Sequence, residues 1–194
     1  MIEVEKKFIL TSEQEKKLIE GAEFLGEKQF TDAYYDDKDF SLTKQDIWLR
    51  ERDGKCELKL PLNESSENRV SDQYRELDAE ADILAYFGAQ DVSIQDLLVQ
   101  RGYIAFCKIT TTRRKYKKED FGIDLDIMDF GYTLAEIESM IEDESKIKEA
   151  TQAIVEFAKK YDLDINVIVK GKVMTYLERN NPKHYQSLLD AWQL

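Results

Sequence analysis

Polar and apolar residues alternate along this chain from its second position. Over residues 2–9, Ile2, Val4 and Phe8 fall on one parity and Glu3, Glu5 and Lys7 on the other. Side chains of a strand point alternately to its two faces, so one face here is apolar and the other carries two carboxylates and an ammonium. The same alternation predicts strands over about 28–36, 45–52, 55–60, 69–79, 103–118, 121–129 and 132–140. Asp53-Gly54 between two alternating runs predicts a hairpin turn, and Gly122 and Gly131 read as similar punctuation further on.

Periodicity nearer 3.6 predicts helices over about 12–25, 80–87, 92–100, 143–161 and 168–193, the last broken near Pro182. Ser12 with Glu15 three residues on reads as a capping box. Many antiparallel strands with few helices predict an α+β fold, a β-barrel or strongly curved sheet with helices outside it. Closure removes exposed strand edges, which suits long polar strands. Two prolines and eight glycines leave no linker, so residues 1–194 read as a single domain.

Composition narrows the chemistry. His184 is the only histidine, which disfavours multi-histidine zinc sites and Ser-His or Cys-His catalysis. Cys56 and Cys107 are far apart and lack metal-ligand spacing, so a reducing, cytoplasmic setting is expected. No run approaches the roughly 18 apolar residues of a membrane span, and acids at positions 3 and 5 do not fit a signal peptide. A formal charge of −12 argues against nucleic acid held by a basic surface. It does not argue against an anionic ligand, because carboxylates hold divalent cations and cations hold phosphates.

Taken face by face, the predicted strands share one feature. Trp48, Arg50 and Arg52 lie opposite Ile47 and Leu49; Glu57 and Lys59 lie opposite Leu58 and Leu60; Tyr74, Glu76 and Asp78 share a face. Arg113 is aligned with Thr111 and Lys115, Asp124 with Asp126, and Glu136 with Glu138. Any one of these strands alone reads as a solvated sheet face. The whole series, with its apolar parities under outer helices, turns the charges inward. Unpaired buried charges cost several kcal/mol each, so such an interior is a wet tunnel and not a dry core. Guanidinium groups fork onto phosphate oxygens, and paired carboxylates hold Mg²⁺ or Mn²⁺.

The ordered set Glu3-Val4-Glu5-Lys6-Lys7, Trp48-Leu49-Arg50-Glu51-Arg52, Glu57-Leu58-Lys59, Arg113, Asp124-Leu125-Asp126 and Glu136-Ile137-Glu138 resembles the CYTH superfamily, the triphosphate tunnel metalloenzymes. Asp32-Ala33-Tyr34-Tyr35-Asp36, Tyr74-Arg75-Glu76-Leu77, Asp129-Phe130-Gly131-Tyr132 and Lys172-Val173-Met174-Thr175-Tyr176-Leu177 add to the likeness, which within the family is strongest toward the thiamine triphosphatases of animals. The resemblance implies an eight-stranded antiparallel barrel. It implies that Glu3, Glu5, Asp124, Asp126, Glu136 and Glu138 bind the metal. Lys7, Arg50, Arg52, Lys59, Glu76, Arg113 and Lys172 would line the triphosphate, and Trp48 would stack on its organic part. Tyr34 and Lys7 match a pair that tunes catalysis. The implied reaction is Mg²⁺-dependent (or Mn²⁺-dependent) hydrolysis of the terminal phosphate of thiamine triphosphate in a cytoplasmic monomer, with no nucleic-acid or membrane partner. An inorganic tripolyphosphatase and a non-catalytic polyphosphate-binding module are the alternatives. Arg114, Tyr116 and the polar insert 62–69 depart from the family pattern.

Overall fold

In a computed structural model describing residues 1–62 and 70–193, the eight strands close into an antiparallel barrel. The strands are β1 (Ile2–Phe8), β2 (Glu23–Asp36), β3 (Trp48–Arg52), β4 (Lys55–Pro61), β5 (Asp72–Leu77), β6 (Ile104–Lys118), β7 (Phe121–Met128) and β8 (Tyr132–Ile141). Their order around the barrel is β1-β5-β4-β3-β2-β6-β7-β8, and β8 returns to β1 with Glu5 opposite Glu138 and Lys7 opposite Glu136. The helices are α1 (Ser12–Ile19), α2 (Glu80–Tyr86), α3 (Ile94–Arg101), α4 (Ile147–Lys160), α5 (Lys172–Asn180) and α6 (Pro182–Trp192).

Alternation sorts each strand into an inner and an outer face. The outer face of β1, β7 and β8 (Val4, Ile123, Ile137) is buried under Ala150, Ile154, Phe157 and Ala158 of α4. Those four recur at helical spacing, so α4 presents one apolar stripe to the barrel. Removing the Phe157 side chain from this layer would cost about 3–5 kcal/mol. Leu49 and Leu58 of β3 and β4 pack likewise against Ile83 of α2 and Leu97 of α3. Val173 and Leu177 of α5 and Leu188 of α6 join Tyr34, Ile109 and Leu134.

Several boundaries differ from the sequence expectation. The first helix stops at Ile19, because Gly21 takes a left-handed conformation (φ 71°) and the chain turns into β2 five residues before the expected start. Residues 23–27 alternate poorly, but pairing with β6 carries the strand through them. The capping box is Thr11–Gln14 instead of Ser12–Glu15. The segment offers two overlapping boxes, and Glu15 is used instead to accept from Arg114 Nη2 at 2.8 Å. Gly122 is no turn residue: it lies inside β7 opposite Glu138, and a Cβ there would stand 2.6 Å from that carboxylate. Asp53 (φ 50°), Gly54 (φ 81°) and Gly131 (φ 75°) do make the expected turns. The last helical stretch begins at Lys172, not 168, and Pro182 starts α6 at a position where its missing N–H costs nothing. Most of the polar insert, with Arg69 at the expected start of β5, lies outside the described residues. Arg114 and Tyr116 are engaged outside the cavity: Arg114 donates to Glu15 of α1, and Tyr116 packs on Phe24 with ring centroids 5.1 Å apart.

Candidate active site

The inner faces enclose a cavity of about 680 Å³. Among the described residues that line it, nine carboxylates face nine ammonium or guanidinium groups. A local balance of charge inside a chain of net charge −12 means the fold gathers its scarce cations here. Glu3, Glu5, Lys7, Tyr34, Trp48, Arg50, Arg52, Lys59, Glu76, Arg113, Glu136, Glu138 and Lys172 all line this one space. Asp124 and Asp126 stand behind it, buried against Arg113.

The cations are held by carboxylates from neighbouring strands. Arg113 donates to both oxygens of Asp126 at 2.6 Å, to Glu136 Oε2 at 2.9 Å and to Asp124. Arg52 forks onto Asp32 at 2.6 and 3.0 Å, and Lys172 reaches the same carboxylate at 2.5 Å. Arg50 donates to Glu57 at 2.8 Å through Nε. Lys59 bridges Glu3 and Glu76, and Lys7 bridges Glu5 and Asp72. Lys115 pairs with Glu138 at 2.7 Å. Burial alone would depress the Lys7 and Lys59 pKa values, but their carboxylate partners outweigh it and hold both well above the usual lysine range. These lysines stay charged for any anion that enters.

The carboxylates divide. Burial, with Glu5 and Glu76 adding repulsion, pushes the Glu3 pKa up despite Lys59. Against its own burial, Lys7 and Lys59 pull the Glu5 pKa down. Burial also raises the Asp124 pKa to about 6, although Arg113 opposes it. Asp124 Oδ1 has no hydrogen-bond partner, and its nearest ammonium, that of Lys115, is 3.7 Å away. An orphaned buried oxygen among hard carboxylate donors fits a divalent cation of the Mg²⁺ type. Among the described residues no three acidic, histidine or cysteine side chains converge into a complete cage.

One end of the cavity is aromatic. Trp48 meets Tyr34 edge-on at 6.3 Å and Trp192 of α6 at 6.2 Å. Met174 of α5 lines the same end. Gly171, which precedes α5, lies close enough to Lys7 that a Cβ would stand 3.4 Å from its Cε, so the C-terminal helices approach the charged interior directly. Lys7 and Tyr34 thus share the cavity, Lys7 in the ionic network and Tyr34 among the rings.

Sequence reading missed Asp32, Asp46, Asp72 and Trp192. Asp32 and Asp72 lay on the inward parity of β2 and β5 and could have been found by extending the same alternation. Asp46 shares the parity of Trp48, Arg50 and Arg52 in the strand expected over 45–52 and could have been found the same way, although the strand begins only at Trp48 and Asp46 sits in a turn. Trp192, at a helix end, gave no such signal.

Comparison with known proteins agrees with this architecture. The CYTH domain family matches residues 1–166. Human thiamine-triphosphatase is 31% identical, with 98% of this chain and 90% of the human protein covered, and the Macaca fascicularis thiamine-triphosphatase is 30% identical over the same shares. A solved Pyrococcus horikoshii protein superposes with a TM-score of 0.65 at 23% identity, over 92% of this chain and 99% of its own.

Proposed function

The chain belongs to the CYTH family, and from that premise we propose that it is a metal-dependent triphosphate hydrolase acting on thiamine triphosphate. The observation that carries the reading is the interior of alternating, mutually paired acids and bases around one cavity, in a chain 31% identical to human thiamine-triphosphatase. In this reading residues 1–194 work as one domain, because Lys172 and Trp192 complete a space built mainly by the barrel.

Arg50, Arg52, Lys59, Arg113, Lys7 and Lys172 take the phosphate oxygens. Guanidinium forks suit the terminal oxygens, and they neutralise charge as it redistributes in phosphoryl transfer. Each cation would leave its present carboxylate in part, and the freed acids are those expected to hold the metal: Glu3, Glu5, Glu136 and Glu138, with Asp124 and Asp126 behind. Bound Mg²⁺ or Mn²⁺ would supply charge neutralisation and an acidified water. Trp48 stacks on the organic group, and thiamine diphosphate leaves. No side chain needs to become covalently attached to phosphate. The expected setting is a cytoplasmic monomer; among the described residues, no helix is long and apolar enough to cross a membrane.

Phosphate release with and without Mg²⁺, from thiamine triphosphate, tripolyphosphate and ATP at equal concentration, tests the reading. It predicts Mg²⁺-dependent release with thiamine triphosphate preferred. A preference for tripolyphosphate would keep the chemistry and replace the substrate. Release from none of them would leave a polyphosphate-binding module.

A further inference from the structure

We infer that Asp46 is the positioning residue that sets the substrate-recognising indole of Trp48, and that the turn carrying it sets the opposing indole of Trp192 as well. Asp46 follows a short 3-10 turn, Thr43–Gln45, in a left-handed conformation (φ 60°, ψ 25°). Its side chain is buried yet borders the cavity. A single oxygen, Oδ1, accepts from Trp48 Nε1 at 2.8 Å and from Tyr74 OH at 2.9 Å. That oxygen therefore ties β3 to β5 and fixes the indole ring about its own plane. Two residues earlier, the Lys44 carbonyl accepts from Trp192 Nε1 at 3.1 Å. The two indoles meet at 74°, a corner open to the cavity.

The turn is itself anchored. Asp36 accepts from the Leu42 N–H at 3.0 Å, the Thr43 N–H at 2.8 Å and the Thr43 hydroxyl at 2.6 Å. The Thr43 hydroxyl also meets His184 Nε2 of α6 at 2.8 Å. A rigid turn that holds both rings by their only polar atoms costs the ligand little ordering entropy on stacking. Trp192 belongs to α6, so the second wall is supplied by the C-terminal helices and not by the barrel. The group read by the corner is a flat, cationic heteroaromatic ring attached to the triphosphate, which rests on the function proposed above.

The left-handed backbone decides the variants. Asn and Gly accept φ near 60°, whereas most residues are strained there. Asp46→Asn keeps one oxygen that can accept both bonds; Asp46→Gly removes it without backbone strain. KM and kcat for thiamine triphosphate and for tripolyphosphate should be measured for both variants and for Tyr74→Phe, which keeps the Asp46–Trp48 bond. The near-UV circular dichroism of the Trp48 indole should be recorded in a Trp192→Phe background. We expect Asp46→Gly to raise the KM ratio of thiamine triphosphate to tripolyphosphate about tenfold, the size of one cation–π stack. We also expect it to weaken the indole signal, while Asp46→Asn and Tyr74→Phe keep both within twofold. An unchanged ratio and signal in Asp46→Gly, in an enzyme that does prefer thiamine triphosphate, would overturn the positioning role alone. If the wild-type protein has no such preference, the function proposed above fails, and the indole signal still reports whether Asp46 holds the ring.

Discussion

The wall made by β1, β6, β7 and β8 and the aromatic end made by Tyr34, Trp48 and Trp192 are built on opposite principles. The wall is local: each charge is satisfied across one or two strands, and Arg113 answers Asp124, Asp126 and Glu136 together. The aromatic end is assembled from distant pieces, with β2, β3, a turn and α6 each supplying one part. In the proposed reading, phosphate chemistry belongs to the wall and substrate choice to the aromatic end. Variants of the two should therefore fail in different ways.

The largest expected effect is on the wall. Glu5→Gln keeps the shape of the side chain and removes its charge. Turnover of every triphosphate should fall at least a hundredfold, about 2.7 kcal/mol of transition-state stabilisation, while the chain still folds cooperatively. Steady-state rates and a thermal melt check both halves, and near-wild-type turnover would remove Glu5 from the metal set.

Arg113→Met tests how far the wall depends on one cation. It strands three carboxylates in a barrel interior, and breaking a buried ionic cluster from one side costs about 3–5 kcal/mol. Urea unfolding should show that loss. A change under 1 kcal/mol would mean that water or Lys115 already screens these acids.

A prediction for the aromatic end concerns pH. His184 is fully buried, stacked on Phe40 at 3.8 Å, and its Nδ1 has no hydrogen-bond partner. Burial, helped by Lys44 and opposed by Asp36, lowers its pKa to about 4. The unfolded chain takes up that proton near pH 6.5 and the folded chain resists it. Stability from this group is thus complete above 6.5 and is lost as pH falls from 6.5 toward 4, by roughly 2–3 kcal/mol. His184→Gln should flatten that part of a stability–pH profile, and an identical profile would place the acid sensitivity elsewhere.

The two regions also differ in how far the sequence betrayed them. Strict alternation in Glu3-x-Glu5-x-Lys7, Trp48-x-Arg50-x-Arg52 and Glu136-x-Glu138 fixes which side chains share the interior, because a strand permits only two faces. The barrel and most of its charged lining were legible for that reason. Asp46 shares that parity with Trp48 and Arg50, but its place in a left-handed turn that holds the indole, instead of in the strand expected there, was not legible. Trp192 reaches the cavity only because α6 folds back beside residues 43–46, a tertiary fact with no local signal. Gly122 misled for a related reason: a glycine inside a strand marks a close approach as readily as a turn, and here it makes room for Glu138.

The smallest expected effect is the most specific. Trp48→Ala should raise KM for thiamine triphosphate about tenfold, one stacking interaction, with little effect on kcat. Its comparison with Glu5→Gln tests the central claim most directly, through the ratio of kcat/KM for thiamine triphosphate to that for tripolyphosphate. A division between chemistry at the charged wall and choice at the aromatic end predicts that Glu5→Gln lowers both values together and leaves the ratio within twofold, while Trp48→Ala lowers the ratio about tenfold. A ratio that moves with Glu5→Gln, or stays fixed with Trp48→Ala, would contradict it.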